Sequence, residues 1–108
     1  MSISVLPSVS DEVQAKTRSL PPWNVVLLDD NDHSYEYVIE MLRSLLGIPV
    51  VEAFLMAKEV DSEGRVIVLT THRERAELEQ HKIHAYGADS RIPRCKGSMS
   101  ATIEPAQG

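Results

Sequence analysis

Cysteine is almost absent. The single Cys95 has no partner for an intrachain disulfide, and that usage fits a reducing, cytoplasmic setting. No basic start followed by an apolar run opens the chain, so the sequence shows no secretory signal. Long apolar runs are missing too. The longest is Ala53 to Ala57, against the roughly 18 to 20 residues needed to cross a bilayer, and no membrane role is expected. Basic charge is in the minority: eleven Lys and Arg face sixteen Asp and Glu, a formal charge of -5. That balance argues against nucleic acid as a partner, because neutralising phosphates needs the opposite sign. A Gly-rich phosphate loop, a nucleophile elbow, an internal repeat and a low-complexity tract are all lacking. The 108 residues suffice for one domain, with about 80 left for a single two-layer core once flexible ends are set aside.

What is present divides the chain into three parts: a flexible N-terminal arm over residues 1–21, a folded domain over 22–104 and a frayed tail over 105–108. Residues Met1 to Leu20 show no helical or strand period, and Pro21 and Pro22 hold the chain extended. A buried strand follows from about Trp23, where Asn24-Val25-Val26-Leu27-Leu28 is apolar and β-branched. Val38, Met41, Leu42, Leu45 and Leu46 recur at helical spacing, with Ser34 as N-cap and Gly47 as stop. A second helix starts at Pro49 and runs to about Val60, and Ser62-Glu63-Gly64 reads as a turn. Arg65 to Thr70 makes a second strand. Thr71 caps a third helix through about Tyr86, with Gly87 at its end. A third strand is expected at Ser98 to Glu104, ended by Pro105. The order β-α-α-β-α-β predicts an α+β fold, a three-stranded sheet with three helices on one face.

The densest polar feature, Asp29-Asp30-Asn31-Asp32-His33-Ser34, falls between the first strand and the first helix. Its carboxylates create a negative hollow suited to a cation or an ammonium group, although Asp and Asn are also the residues that solvated turns select. A calcium loop counted from Asp29 fails on detail: the sixth position is Ser34 rather than Gly and the fifth is His33 rather than an oxygen donor. His81 and His84 lie one helical turn apart but lack a second closely spaced ligand pair, so no metal is expected. Cys95 has no base that spacing can locate, and catalysis has no visible seat. Tyr35, Tyr37 and Val38, with Met56, Ala57 and Val60, can wall an apolar pocket beside the acidic turn. Core packing is the simpler reading of Val38, whereas Tyr35 can face ligand and water together.

Taken together, Trp23 to Asn31, the run Ser34-Tyr35-Glu36-Tyr37-Val38-Ile39-Glu40-Met41-Leu42 and Gly64-Arg65 before a strand resemble the ClpS family of adaptor proteins over about residues 22 to 104. The resemblance implies a small sheet with three helices, no enzymatic activity and no cofactor. It also implies two partners, a Clp-type AAA+ unfoldase and the bulky hydrophobic N-terminal residue of a substrate protein. The family's Asn-Asp-Asp, which bonds the substrate α-amine, falls on Asp29, Asp30 and Asn31, with amide and carboxylate exchanged. Its Thr-Pro-Met falls on His33, Ser34 and Tyr35, and its Val-His pair on Val60 and Asp61. The resemblance thus implies a substrate site of Asp29, Asp30, Asn31, His33, Tyr35, Val38, Val60 and Asp61. An apolar family residue falls near Arg94, and a Glu and a Lys of the unfoldase-facing surface fall on Glu74 and Glu79. These departures keep open an alternative, a module that docks and regulates an unfoldase without reading N-terminal residues.

Overall fold

The computed structural model describes residues 20–106, so the predicted N-terminal arm lies outside the described residues save for its last two positions. The central strand, β1 (Trp23–Leu28), leads through the acidic turn into α1 (Tyr35–Leu46) and α2 (Val50–Glu63). Then come β2 (Arg65–Thr71), α3 (Arg73–His84) and β3 (Ser100–Pro105). The sheet order is β2-β1-β3 with both pairings antiparallel, which is the predicted element order on a three-stranded sheet. Among the described residues no helix is long and apolar enough to cross a membrane.

One sheet face carries the core. Val25 and Leu27 of β1 meet Val66 and Val68 of β2 and Ala101 of β3 beneath Val38, Met41 and Leu42 of α1. Ala53, Ala57 and Val60 of α2 and Ala76 and Ile83 of α3 complete it. A bulge between Val25 and Val26 sets Leu69 opposite Val25 and Ile67 opposite Val26. Val68 is the extra residue, so both it and Leu69 turn toward the helices. On the other face Arg65 reaches across the central strand to Glu104, with both carboxylate oxygens at 2.8 Å. Thr70 and Asn24 join the same polar layer through a 2.7 Å hydrogen bond.

The caps explain where the helices stop. Ser34 Oγ accepts from Tyr37 N at 3.1 Å, and Gly47, at φ 67, donates to Arg43 O while Ile48 N bonds Leu42 O. The second helix outlasts its predicted end near Val60, because Gly64, at φ 83, supplies a left-handed cap that lets Asp61 to Glu63 stay helical. Thr71 is not the cap of α3. It closes β2 opposite Trp23, and His72 takes the cap position with no side-chain bond. The last strand begins at Ser100 rather than Ser98, and Pro105 does not end pairing. Because β3 is an edge strand, the missing N–H of Pro105 costs no ladder bond, and Ala106 N donates to Pro22 O at 2.8 Å.

Candidate functional site

The acidic turn is built by its own side chains. Asp29 Oδ1 accepts from Asn31 N at 3.4 Å and Asp30 Oδ1 accepts from Asp32 N at 3.0 Å, two turns of the kind Asp favours. Asn31 sits at φ 66, a left-handed conformation that an amide side chain tolerates better than most. Arg94 straps the outside, donating to Asp32 Oδ1 at 2.7 Å and to Asn31 O at 3.0 Å. The second carboxylate oxygens of Asp29 and Asp30 have no protein partner among the described residues, so each keeps an acceptor for a ligand.

On one side of the turn stand Tyr35, at the start of α1, and Asp61, in the last turn of α2. The Tyr35 hydroxyl donates to Asp61 Oδ2 at 2.8 Å, and the ring meets Phe54 edge-on at 6.0 Å. That hydrogen bond pushes the Tyr35 phenol above its ordinary value, helped by burial and by the negative charges of Asp61 and Asp29. The hydrogen bond joins Tyr35 of α1 to Asp61 of α2, and the charge of Asp29 reaches the phenol from the acidic turn. Val38 and Val60 lie in the core, only 3% and 2% exposed, with Tyr35 packed against the same cluster. Both are closed to solvent, so a side chain arriving from outside does not touch them in this conformation.

His33 turns the other way, inward. Its side chain is 3% exposed, Nδ1 lies 2.7 Å from Asp30 Oδ1, and Nε2 lies 2.8 Å from the Gly97 carbonyl oxygen. Both ring nitrogens are engaged, so His33 fixes Asp30 and offers no free nitrogen. Next along the chain, Ser34 donates through both N and Oγ to Asp89 Oδ2, each at 2.8 Å. Arg91 donates to Asp89 Oδ1 through its backbone N at 3.0 Å and its Nη1 at 3.3 Å. Burial opposes ionisation of Asp89, yet the four bonds outweigh it and hold the carboxyl at about 2, below 3.8. Asp89, Arg91 and Gly97 went unrecognised in the sequence, as did the pairing of Cys95 with His33. Their partners lie roughly 50 to 60 residues away, and the one local signal was an Asp two residues before an Arg in a turn-rich stretch.

The two residues expected on an unfoldase-facing surface separate in the same way. Glu74 is exposed in the first turn of α3, while Glu79 is buried on that helix beside Lys82 and Arg75 and presents no surface. Among the described residues no group of three or more His, Cys, Asp or Glu side chains gathers as metal ligands do.

An antiparallel sheet with helices on one face and a carboxylate-rich turn leaving its central strand is the frame of a small adaptor domain. The family model described as "ATP-dependent Clp protease adaptor protein ClpS" matches residues 18–93. The chain belongs to the ClpS family, whose members are adaptors of the Clp protease. It is 30% identical over 86 residues to the ATP-dependent Clp protease adapter protein ClpS of Rhodococcus opacus, covering 80% of this chain and 77% of that one. The Corynebacterium diphtheriae adapter of the same name is 26% identical over 83 residues, covering 75% and 74%. A solved structure of Agrobacterium tumefaciens ClpS2 bound to L-phenylalaninamide superposes with a TM-score of 0.68 at 20% identity, covering 80% of this chain and 98% of that one.

Proposed function

We propose that this chain reads the first residue of substrate proteins and delivers them to a Clp-type AAA+ unfoldase without itself catalysing a reaction. The Tyr35–Asp61 hydrogen bond supports this reading, since it pairs a carboxylate and a phenol within reach of the charge of Asp29, groups suited to a protonated α-amine. Asp30 and Asn31 complete the polar edge, His33 steadies Asp30, and Val38 and Val60 form the apolar floor for the first side chain. The structural neighbour's ligand, L-phenylalaninamide, has a free α-amine and an aromatic side chain, the same two handles. Exposed Glu74 on α3 is the proposed contact to the unfoldase. The proposed location is the cytoplasm, whose reducing chemistry suits a free thiol.

Each charge-assisted hydrogen bond to the amine contributes about 1.5 to 3 kcal/mol, and burial of a Leu or Phe side chain about 1.5 to 3 more. Association costs cancel part of that, so affinity on the order of micromolar is expected. The test is a titration with fluorescent peptides beginning with Leu, Phe, Tyr or Trp, beside an N-acetylated form and an Ala-initial control. Binding should vanish on acetylation and fade above about pH 8, where the α-amine loses its proton. Equal binding by every peptide would favour the second reading, a docking module that ignores N-terminal residues. The closed cover over Val38 and Val60 is the observation on that side.

A further inference from the structure

We propose that Cys95, with His33 and Asp30, forms an activated thiol that exchanges with low-molecular-weight disulfides. The Cys95 Sγ lies 3.3 Å from His33 Nε2, while Asp30 Oδ1 holds the opposite ring nitrogen at 2.7 Å. A nucleophile, a base within reach and a carboxylate orienting that base are the parts nucleophilic catalysis uses. Asp30 and His33 come from the acidic turn and Cys95 from the loop before β3, so only the fold assembles them.

The hydrogen-bond partners of His33 fit a proton passed from Sγ to the ring. The Asp30 carboxylate and the Gly97 carbonyl are acceptors only, and each faces one His33 nitrogen, at 2.7 and 2.8 Å. A ring with one hydrogen satisfies one of them and turns a bare lone pair against the other. With the Sγ hydrogen on Nε2, both ring nitrogens are donors, Nδ1 to Asp30 and Nε2 to Gly97. The resulting thiolate accepts from the Asp89 backbone N–H, 3.2 Å away. In the thiol form the S–H hydrogen also has Gly97 O within 3.3 Å, but that oxygen is the closer neighbour of Nε2. The Tyr37 ring, 4.5 Å from the imidazole centroid, covers His33, whereas Cys95 stays half-exposed between Arg94 and Lys96. A shielded base and a reachable sulfur are what solvent-borne electrophiles require.

The Cys95 thiolate attacks one sulfur of the disulfide. A new bond from Sγ to that sulfur forms as the reagent's S–S bond breaks, and the bonding pair leaves on the second sulfur, which takes a proton from His33 Nε2 or water. Cys95 is oxidised to the mixed disulfide and the released thiol is the reduced product, so no further oxidant enters. Any added thiol reverses the step.

This inference does not rest on the N-terminal reading, and its test needs no peptide. The full-length chain is mixed with dipyridyl disulfide and release of the pyridinethione is followed by absorbance. The folded protein should react about tenfold or more faster than the same chain in urea at equal pH, although burial alone would slow it. His33→Gln should bring the folded rate down to that of the unfolded chain, and Cys95→Ser should release nothing. Should His33→Gln not fold, Asp30→Asn serves instead, with a rate lowered several-fold. A folded wild type no faster than the unfolded chain, or a folded His33 or Asp30 variant as fast as wild type, would overturn the proposal.

Discussion

Asp89→Asn tests whether a loop far along the sequence holds the start of α1. The carboxylate is 1% exposed and divides four donors between two oxygens, Ser34 N and Oγ on one, Arg91 N and Nη1 on the other. An asparagine replaces one oxygen with an NH2 group, setting donor against donor at one of those pairs. Holding the carboxyl at about 2 rather than 3.8 corresponds to about 2 kcal/mol, less some screening because its partner Arg91 is exposed. The sign follows from the lowered value. The unfolded chain takes up this proton first, so the stabilisation is complete above about pH 5 and drains away as pH falls through 3.8 toward about 2. Urea unfolding of both proteins across that range should therefore show a gap of about 2 kcal/mol near pH 7 that narrows toward about pH 2. A gap of the same size at every pH would refute the charge-based account, and no gap at neutral pH would refute the anchor itself.

Asp61→Asn removes the leading cause of the raised Tyr35 phenol, so ultraviolet titration should show one tyrosine moving down toward 10, and an unchanged curve would mean the Tyr35–Asp61 bond is not made in solution. Asp30→Ala should weaken binding of a Leu-initial peptide by at least about 1.5 kcal/mol, and unaltered affinity in a fluorescence titration would remove Asp30 from the site. Arg94→Ala should cost less than about 1 kcal/mol in urea unfolding, since the strap is 70% exposed and its bond to Asp32 is a surface pair. Leu42→Ala, on the core face of α1, should cost about 2 to 5 kcal/mol by the same assay, and a smaller loss would point to a core that collapses around the gap.

Wherever one short-range cause decides an element, the sequence showed it. The β-branched runs at Val25-Val26-Leu27 and Val66-Ile67-Val68 became strands, and Ser34 and Gly47 cap the first helix as their chemistry predicts. The misjudged boundaries are those where two signals compete. Asp61 and Ser62 are turn formers, yet Gly64 three residues past Asp61 supplies the left-handed cap, and the helix continues to meet it. Thr71 has the side chain of a cap, yet pairing with Trp23 keeps it in the strand. The bulge opposite Val25 was invisible because both Val68 and Leu69 are apolar, and alternation alone does not say which residue is the extra one.

The acidic turn shows how far this reasoning extends to the site. From spacing, Asp29-Asp30-Asn31 is a negative hollow with amide and carboxylate exchanged relative to the family pattern. The backbone supplies a physical reason for that order: the left-handed position falls on the third residue, where an amide sits comfortably, which leaves both carboxylates at the strand end. One of them, Asp29, lies close enough to Tyr35 to raise its phenol, and the other, Asp30, holds His33. The two carboxylates thus have different neighbours, Asp29 the Tyr35–Asp61 pair and Asp30 the His33–Cys95 pair. Sequence spacing could name the carboxylates but not their surroundings, because His33 and Tyr35 beside them are oriented by Gly97 and Asp61, 64 and 26 residues away.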